Sequence, residues 1–255
     1  MSSVKLPKLN LIPYGIYSGS RNMAMDEYML SLEGAFLRFY GWDGIVLSYG
    51  KSKKEKINPN DQFCAANNIT KIRRPSGGKT VLHQYELTYA FSADQDLFPT
   101  SIIETYRLIS QPIISCFQNL GLKVQMSPEK RQHSESDNCF REISSYEISI
   151  NNKKIVGSAQ YRKGNRFLQH GSILLNIDWD LWYAIWGGSD LPGSMETRIT
   201  SLSHELNEIP SAIQLTEKLR AEFELSFQRK GQPYNFIQKE LEKIDELEKK
   251  FRDFY

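Results

Sequence analysis

Cysteine is scarce in this chain: three thiols, Cys64, Cys116 and Cys139, in 255 residues. An odd and widely spread set does not form the dense framework of a small secreted domain, so a reducing cytosol is expected. Long apolar runs are missing as well. Nothing approaches the roughly 20 apolar residues of a membrane span, and the opening MSSVKLPKLN lacks the apolar stretch of a signal peptide. A cytoplasmic protein that engages no membrane is expected. Charge of one sign is also wanting, since 32 Lys and Arg against 30 Asp and Glu leave only +2, too little for a dedicated nucleic-acid binder. Internal repeats, low-complexity stretches and long Pro/Gly/Ser linkers are absent too. The expectation is one domain over 1–255, with a core over about 20–230 and a C-terminal helix over about 234–254.

What remains is a chain with 40% apolar residues, enough for a sizeable core. Helical spacing over Asn22 to Leu32, with Ser20 as cap, predicts an early helix. Ala35 to Tyr40 and Ile45 to Tyr49, around Gly41-Trp42-Asp43-Gly44, read as a hairpin. Strands follow at Ile69 to Arg74, Thr80 to Leu82 and Leu87 to Ser92. Ser101 and Glu104 cap a helix that carries Ile102, Tyr106, Ile109, Ile113, Phe117 and Leu120 and stops at Gly121, with a kink expected at Pro112.

After a short strand at Leu122 to Met126 comes a polar loop, Ser127 to Asn138, with Cys139 at its far end. Tyr146 to Ile150, Lys154 to Tyr161 and Phe167 to Leu175 then form a β-meander turned at Asn151-Asn152 and at Lys163-Gly164-Asn165. Two helical stripes end the chain, one through Ile213, Leu219, Phe223 and Phe227, the other through Ile237, Leu241, Ile244, Phe251 and Phe254. The fold class is α+β, a mixed or antiparallel sheet flanked by helices, with the helices expected on one side.

Three segments carry candidate chemistry. Lys71-Ile72-Arg73-Arg74-Pro75-Ser76-Gly77-Gly78-Lys79 joins cations to glycines whose backbone N–H groups can approach a ligand, fitting an anion or a carbonyl; its bland reading is a solvated basic turn. Lys154-Ile155-Val156-Gly157-Ser158-Ala159-Gln160 puts a lysine at a strand start, either to polarise an acyl carbonyl or as a hairpin-tip charge. Cys139, followed by Phe140 and Arg141, is the candidate nucleophile, because neighbouring cations favour the reactive thiolate; its bland reading is an inert thiol. Cys64 and Cys116 read as packing residues. His83 and His170 can carry protons or satisfy backbone groups, and the four histidines have no zinc-site spacing.

Together these segments resemble the biotin/lipoate protein ligase superfamily. The resemblance runs through Asn22 to Glu27, Leu37 to Trp42, Arg73 to Gly78 with Val81-Leu82-His83 and Glu86-Leu87-Thr88-Tyr89, Lys154 to Gln160, and Leu168-Gln169-His170-Gly171-Ser172. Within it the chain is most similar to LipM-type octanoyltransferases, through Glu86 to Tyr89, Cys139-Phe140, Tyr146-Glu147 and Gly157 to Gln160. It departs from the family pattern at Gln84, where an aspartate is common, at Lys53, where a glutamine is common, and at Lys79, where the ATP-dependent ligases carry a third glycine.

The resemblance implies an acyltransferase of lipoate biosynthesis. Its donor would be octanoyl acyl carrier protein and its acceptor a lysine of lipoyl domains or of the glycine-cleavage H protein. Cys139 would carry the acyl thioester and Lys154 would orient its carbonyl, while Arg73, Arg74, Ser76, Gly77, Gly78, His83, Gly157, Ser158, Ala159, Gln160, His170 and Gly171 would line the substrate pocket. No metal and no cofactor are implied, since a thioester is already activated; ATP and Mg enter only for the alternative, an ATP-dependent lipoate ligase. A noncatalytic homologue that binds acylated proteins is the other rival. The cation-rich segments Lys51 to Lys56, Lys71 to Lys79 and Lys153 to Arg166 suit an acidic carrier.

Overall fold

Two β-sheets organise the chain in the computed structural model, which describes residues 4–51, 59–126, 147–187 and 195–252. In chain order the elements are β1 (Leu9–Tyr17), α1 (Gly19–Met29), β2 (Ala35–Trp42), β3 (Val46–Tyr49), α2 (Asp61–Ala66), β4 (Thr70–Arg73), β5 (Val81–His83) and β6 (Glu86–Asp94). Then come α3 (Ile102–Asn119), β7 (Val124–Met126), β8 (Ile148–Ile150), β9 (Lys153–Lys163), β10 (Arg166–Leu174) and α4 (Trp179–Trp186). The last are α5 (Leu202–Glu205), α6 (Ala212–Ser226), β11 (Gly231–Pro233) and α7 (Gln238–Arg252). The large sheet runs β11-β1-β2-β6-β10-β9-β8-β7, and a small one runs β4-β3-β5.

The expected meander is present: β8, β9 and β10 pair antiparallel in sequence order, and Asn151 and Asn152, both at positive φ, make the first turn. The expected hairpin of β2 and β3 is not. β2 pairs with β1 and β6 in the large sheet, while β3 crosses to the small sheet and pairs with β4 and β5. Two apolar segments joined by a glycine turn look like a hairpin whether or not they share a sheet, and here tertiary pairing decides. β1, unassigned from sequence, runs parallel to β2 and holds Pro13 where their register shifts, a position at which a missing N–H is tolerated.

Helices cover both faces of the large sheet rather than one. Strand alternation shows why. In β6, Leu87, Tyr89, Phe91 and Ala93 join α3 and α6 in one core, whereas Ala90, with Phe36 and Tyr40 of β2, joins α1 and α7 in another. β6 alternates polar and apolar residues although all but its last residue are buried, so the alternation here marks a buried polar face rather than an open side. The early helix starts at Gly19, three residues before expectation, because Ser18 rather than Ser20 accepts the Arg21 N–H as cap. α3 is capped by Ser101 as expected and runs on through Pro112 without a break. In the last helices Leu219, Phe223, Phe227, Ile244 and Phe251 are buried as expected, but Ile213 and Ile237 are 64% exposed, each beside a helix start. Phe254 lies outside the described residues, as do Lys53 and the whole polar loop, Ser127 to Asn138.

Candidate active site

Register places the site. Tyr40 of β2, Thr88 of β6, Ser172 of β10 and Gly157 of β9 form one row across four strands, and Arg38, Ala90, His170 and Ala159 form the next. Both rows face the α1 side, and the cleft, of about 120 Å³, opens over them. Nine of the expected residues line it: Arg74, Gly78, His83, Lys154, Gly157, Ser158, Ala159, His170 and Gly171. Gly171 must lack a side chain, since a Cβ there would come within 2.4 Å of the Ser158 hydroxyl and 2.7 Å of the Tyr89 ring.

Lys154 reaches the cleft because of a β-bulge. Ile148 pairs with Val156, but the next residue of β8, Ser149, pairs with Lys154, so β9 carries one extra residue, Ile155. Val156 points to the α3–α6 core opposite Ile173. Without the bulge, Lys154, two residues away, would point there too. With it, the lysine turns to the cleft face. The lysine is buried, its Nζ paired with the Glu147 carboxylate, and its backbone is held by Arg198 and Thr200. A hairpin-tip surface charge is thereby excluded.

The basic turn is anchored from behind. Arg74 sends all five N–H donors to protein acceptors: the carbonyls of Ser48, Gly77 and Lys79 and the Ser48 hydroxyl. Its guanidinium therefore braces the turn as well as forming wall. Arg73 lies off the cleft and donates to the Gly50 carbonyl at 2.7 Å. Gly50 itself lets the turn close, since a Cβ there would meet the Gly78 carbonyl oxygen at 1.8 Å. Ser76 and Gly77 also sit behind the lining. Gln160 bonds Gln169 and Arg162 instead of facing the cleft.

Two histidines tie this turn and β3 to buried carboxylates. His170 bonds Ser76 through Nε2 at 2.6 Å and Asp26 through Nδ1 at 3.0 Å. Asp26 is held in turn by Arg38 at 3.0 Å and Tyr40 at 2.9 Å, and the burial of Tyr40, then the charge of Asp26, pushes that phenol well above its ordinary range. His83 bonds Ser48 through Nε2 at 2.7 Å and Glu86 through Nδ1 at 2.8 Å. Glu86 also accepts from Trp42, Thr88 and Ser172, and the Trp42 ring stacks on His83 at 3.8 Å. Each Nδ1 bonds a carboxylate and each Nε2 a serine hydroxyl, so the histidines fix the serines that brace the wall.

Sequence reasoning missed Met23, Tyr40, Trp42, Ser48, Val81, Thr88, Glu147 and Ser172 as lining, and Asp26, Arg38 and Glu86 behind it. One signal was available: Asn22 and Asp26, one helical turn apart, both meet the Arg38 guanidinium, a charge on a strand that otherwise reads as apolar. Cys139 lies outside the described residues. Among the described residues no group of His, Cys, Asp and Glu is arranged to hold a metal, and no helix is long and apolar enough to cross a membrane.

Comparison with known proteins identifies this architecture. A model of the lipoyl protein ligase A/B catalytic domain matches residues 18–224. Octanoyltransferase LipM of Lysinibacillus sphaericus is 32% identical over 92% of this chain and 93% of its own length, and that of Bacillus subtilis is 31% identical over 92% of both. The LipM of Brevibacillus brevis reaches 40% identity over 66% of each chain. A lipoate-protein ligase A bound with ATP has the same fold, with a TM-score of 0.82 at 19% identity over 97% of both chains. The putative lipoate protein ligase Ta0514 from T. acidophilum follows at 0.78, 19% identity and 95% of both. A matched domain over most of the chain, relatives aligned along nearly its full length and a shared fold lead to one conclusion: this chain belongs to the lipoyl protein ligase A/B catalytic-domain family and is an acyltransferase.

Proposed function

We propose that the protein transfers an octanoyl group from acyl carrier protein to a lysine of lipoyl domains or of the glycine-cleavage H protein, through a thioester on Cys139. Relatives named octanoyltransferase, aligned over most of the chain, support octanoyl transfer in lipoate biosynthesis. The observation that carries the reading is Lys154, a buried cation turned by a bulge into a cleft walled by Gly157, Ala159 and Gly171. A fixed N–H donor there stabilises the oxygen of an acyl carbonyl as it becomes an oxyanion.

In the first half the Cys139 thiolate attacks the donor thioester, a new C–S bond forms as the donor's C–S bond breaks, and the carrier sulfur leaves as a thiolate that takes a proton from water. In the second the acceptor amine attacks the acyl-enzyme, and the amide forms as the cysteine sulfur departs and takes a proton. Met23, Tyr40, Trp42 and Val81 supply apolar wall for the acyl chain, worth about 0.8 kcal/mol for each methylene buried. No nucleotide is needed, because the thioester bond already carries the activation. The commitment of Arg74 to backbone carbonyls favours this over an ATP-dependent ligase, in which the turn would hold a phosphate.

The test is intact mass spectrometry after mixing the protein with octanoyl acyl carrier protein. One added octanoyl group, labile to hydroxylamine, is expected; it should vanish in Cys139→Ala and persist in Cys116→Ala. Cys116 is a sound control because its burial pushes its thiol up to about 12, which leaves almost no thiolate at neutral pH. An adduct retained in Cys139→Ala would refute the nucleophile. Modification of a lipoyl domain by free octanoate only when ATP is present would refute the transferase.

A further inference from the structure

Glu147 lies one residue before β8, on the same face as Ser149, and its side chain is 5% exposed. Its carboxylate accepts from Lys154 Nζ, and both groups line the cleft. A pair so buried is costly to desolvate and gives little net stability, so its presence calls for another reason. The chemistry of the cleft supplies one. A lysine close enough to polarise a thioester carbonyl is also an amine close enough to attack it, in competition with the acceptor lysine.

We propose that Glu147 is a positioning residue that protects Lys154 from acylation; the claim rests on the transfer reading above. An ammonium held by a carboxylate keeps N–H groups to offer the acyl oxygen but has no lone pair with which to attack carbon. Take the carboxylate away and desolvation favours the neutral amine. Its lone pair then adds to the thioester carbonyl, a C–N bond forms, the C–S bond breaks, and the sulfur leaves as a thiol with the proton that nitrogen gives up. The product is an octanoyl amide on Lys154, from which no thioester can be regenerated.

Among the described residues, the other groups near the pair do not replace Glu147. Tyr106 lies near it, but burial first, then the nearby Tyr89 and the charge of Glu147, hold that phenol well above its ordinary range, so it brings no second anion. His83 and His170 commit both ring nitrogens to Ser48 with Glu86 and to Ser76 with Asp26. Arg74 adds a cation rather than an anion.

The experiment mixes octanoyl acyl carrier protein with wild type, Glu147→Gln, Glu147→Asp and the double variant Glu147→Gln/Lys154→Arg. Hydroxylamine treatment and peptide mapping follow. Wild type is expected to carry only the labile adduct. Glu147→Gln should accumulate a hydroxylamine-resistant octanoyl group on Lys154 and lose at least tenfold in kcat, with KM for the lipoyl domain within about twofold. Glu147→Asp, with a shorter reach to Nζ, should give the same adduct at a lower level and carries the test if the Gln variant does not fold. The double variant should show no resistant adduct, since arginine is not acylated. Absence of the resistant adduct from both single variants while their labile loading persists would overturn the inference. Absence of labile loading in wild type would instead overturn the transfer reading.

Discussion

The two faces of β6 are one residue apart in sequence and opposite in chemistry. Leu87, Tyr89, Phe91 and Ala93 enter a dry core with α3 and α6, where Phe91 meets Phe223 and Phe227 at ring separations of 6.0 and 5.3 Å. Glu86, Thr88, Ala90 and Ser92 alternate with them on the α1 side, where Glu86 and Thr88 join the polar network of the cleft, Ala90 packs with α1 and α7, and Ser92 bonds Arg166. The same division runs through β10, where Phe167 and Ile173 pack in the dry core while His170 and Ser172 serve the cleft. One layer thus keeps its carboxylates, histidines and lysine fixed because the layer behind it is apolar and closely packed. Buried polar groups tolerate no slack, since each unpaired one costs about 1–3 kcal/mol.

If the division of labour holds, substitutions on the two faces should separate cleanly. The largest effect on stability is expected from Phe91→Ala, which empties the aromatic cluster and should cost about 3–5 kcal/mol in denaturant unfolding. Its kcat per folded molecule should stay within about twofold of wild type. Lys154→Met should do the reverse. Loss of the oxyanion donor predicts about a 10²–10³-fold fall in transfer rate, read in single-turnover assays on protein shown by circular dichroism to be folded.

Ser76→Ala sharpens the comparison on the cleft side alone. It removes the hydroxyl that joins the glycine turn to His170 and should cost about 1–3 kcal/mol in thermal melts, with a raised KM for the acyl donor as the turn loosens. The smallest effect concerns the α1–α7 contact. Burial pushes the Glu248 carboxyl up, but hydrogen bonds from Arg252, Ser20 and Arg21 and the charge of Arg252 outweigh it and leave the group below the usual carboxylate value. A depressed value means that the stability it contributes is complete above about pH 4.3, the unfolded value, and is lost as pH falls through the folded one. Glu248→Gln should therefore flatten the acid side of a melting-temperature profile and leave transfer at neutral pH unaltered.

Much of this was legible in the sequence, and the reasons for the rest are physical. The meander was readable because Asn151-Asn152 and Gly164 state their turns locally. The β2–β3 hairpin was misread because the partners of β3, Thr70 to Arg73 and Val81 to His83, lie far along the chain, and no local signal names them. Lys154 was singled out for its place at a strand start, yet its direction depends on Ile155 as a bulge, which only the register with β8 reveals. Of the thirteen candidate positions other than Cys139, those missing from the lining are Arg73, Ser76, Gly77 and Gln160, each committed to a neighbour instead. A motif marks the segment near a ligand; the pleat decides which members face it.

The most direct measurement of the central claim is a single-turnover transfer with labelled octanoyl acyl carrier protein, a lipoyl domain and no nucleotide. The account predicts that the label passes to the target lysine as an amide, at a rate that collapses in Lys154→Met. It would be contradicted if no label moved until ATP and free octanoate were supplied, or if Lys154→Met transferred it as fast as wild type.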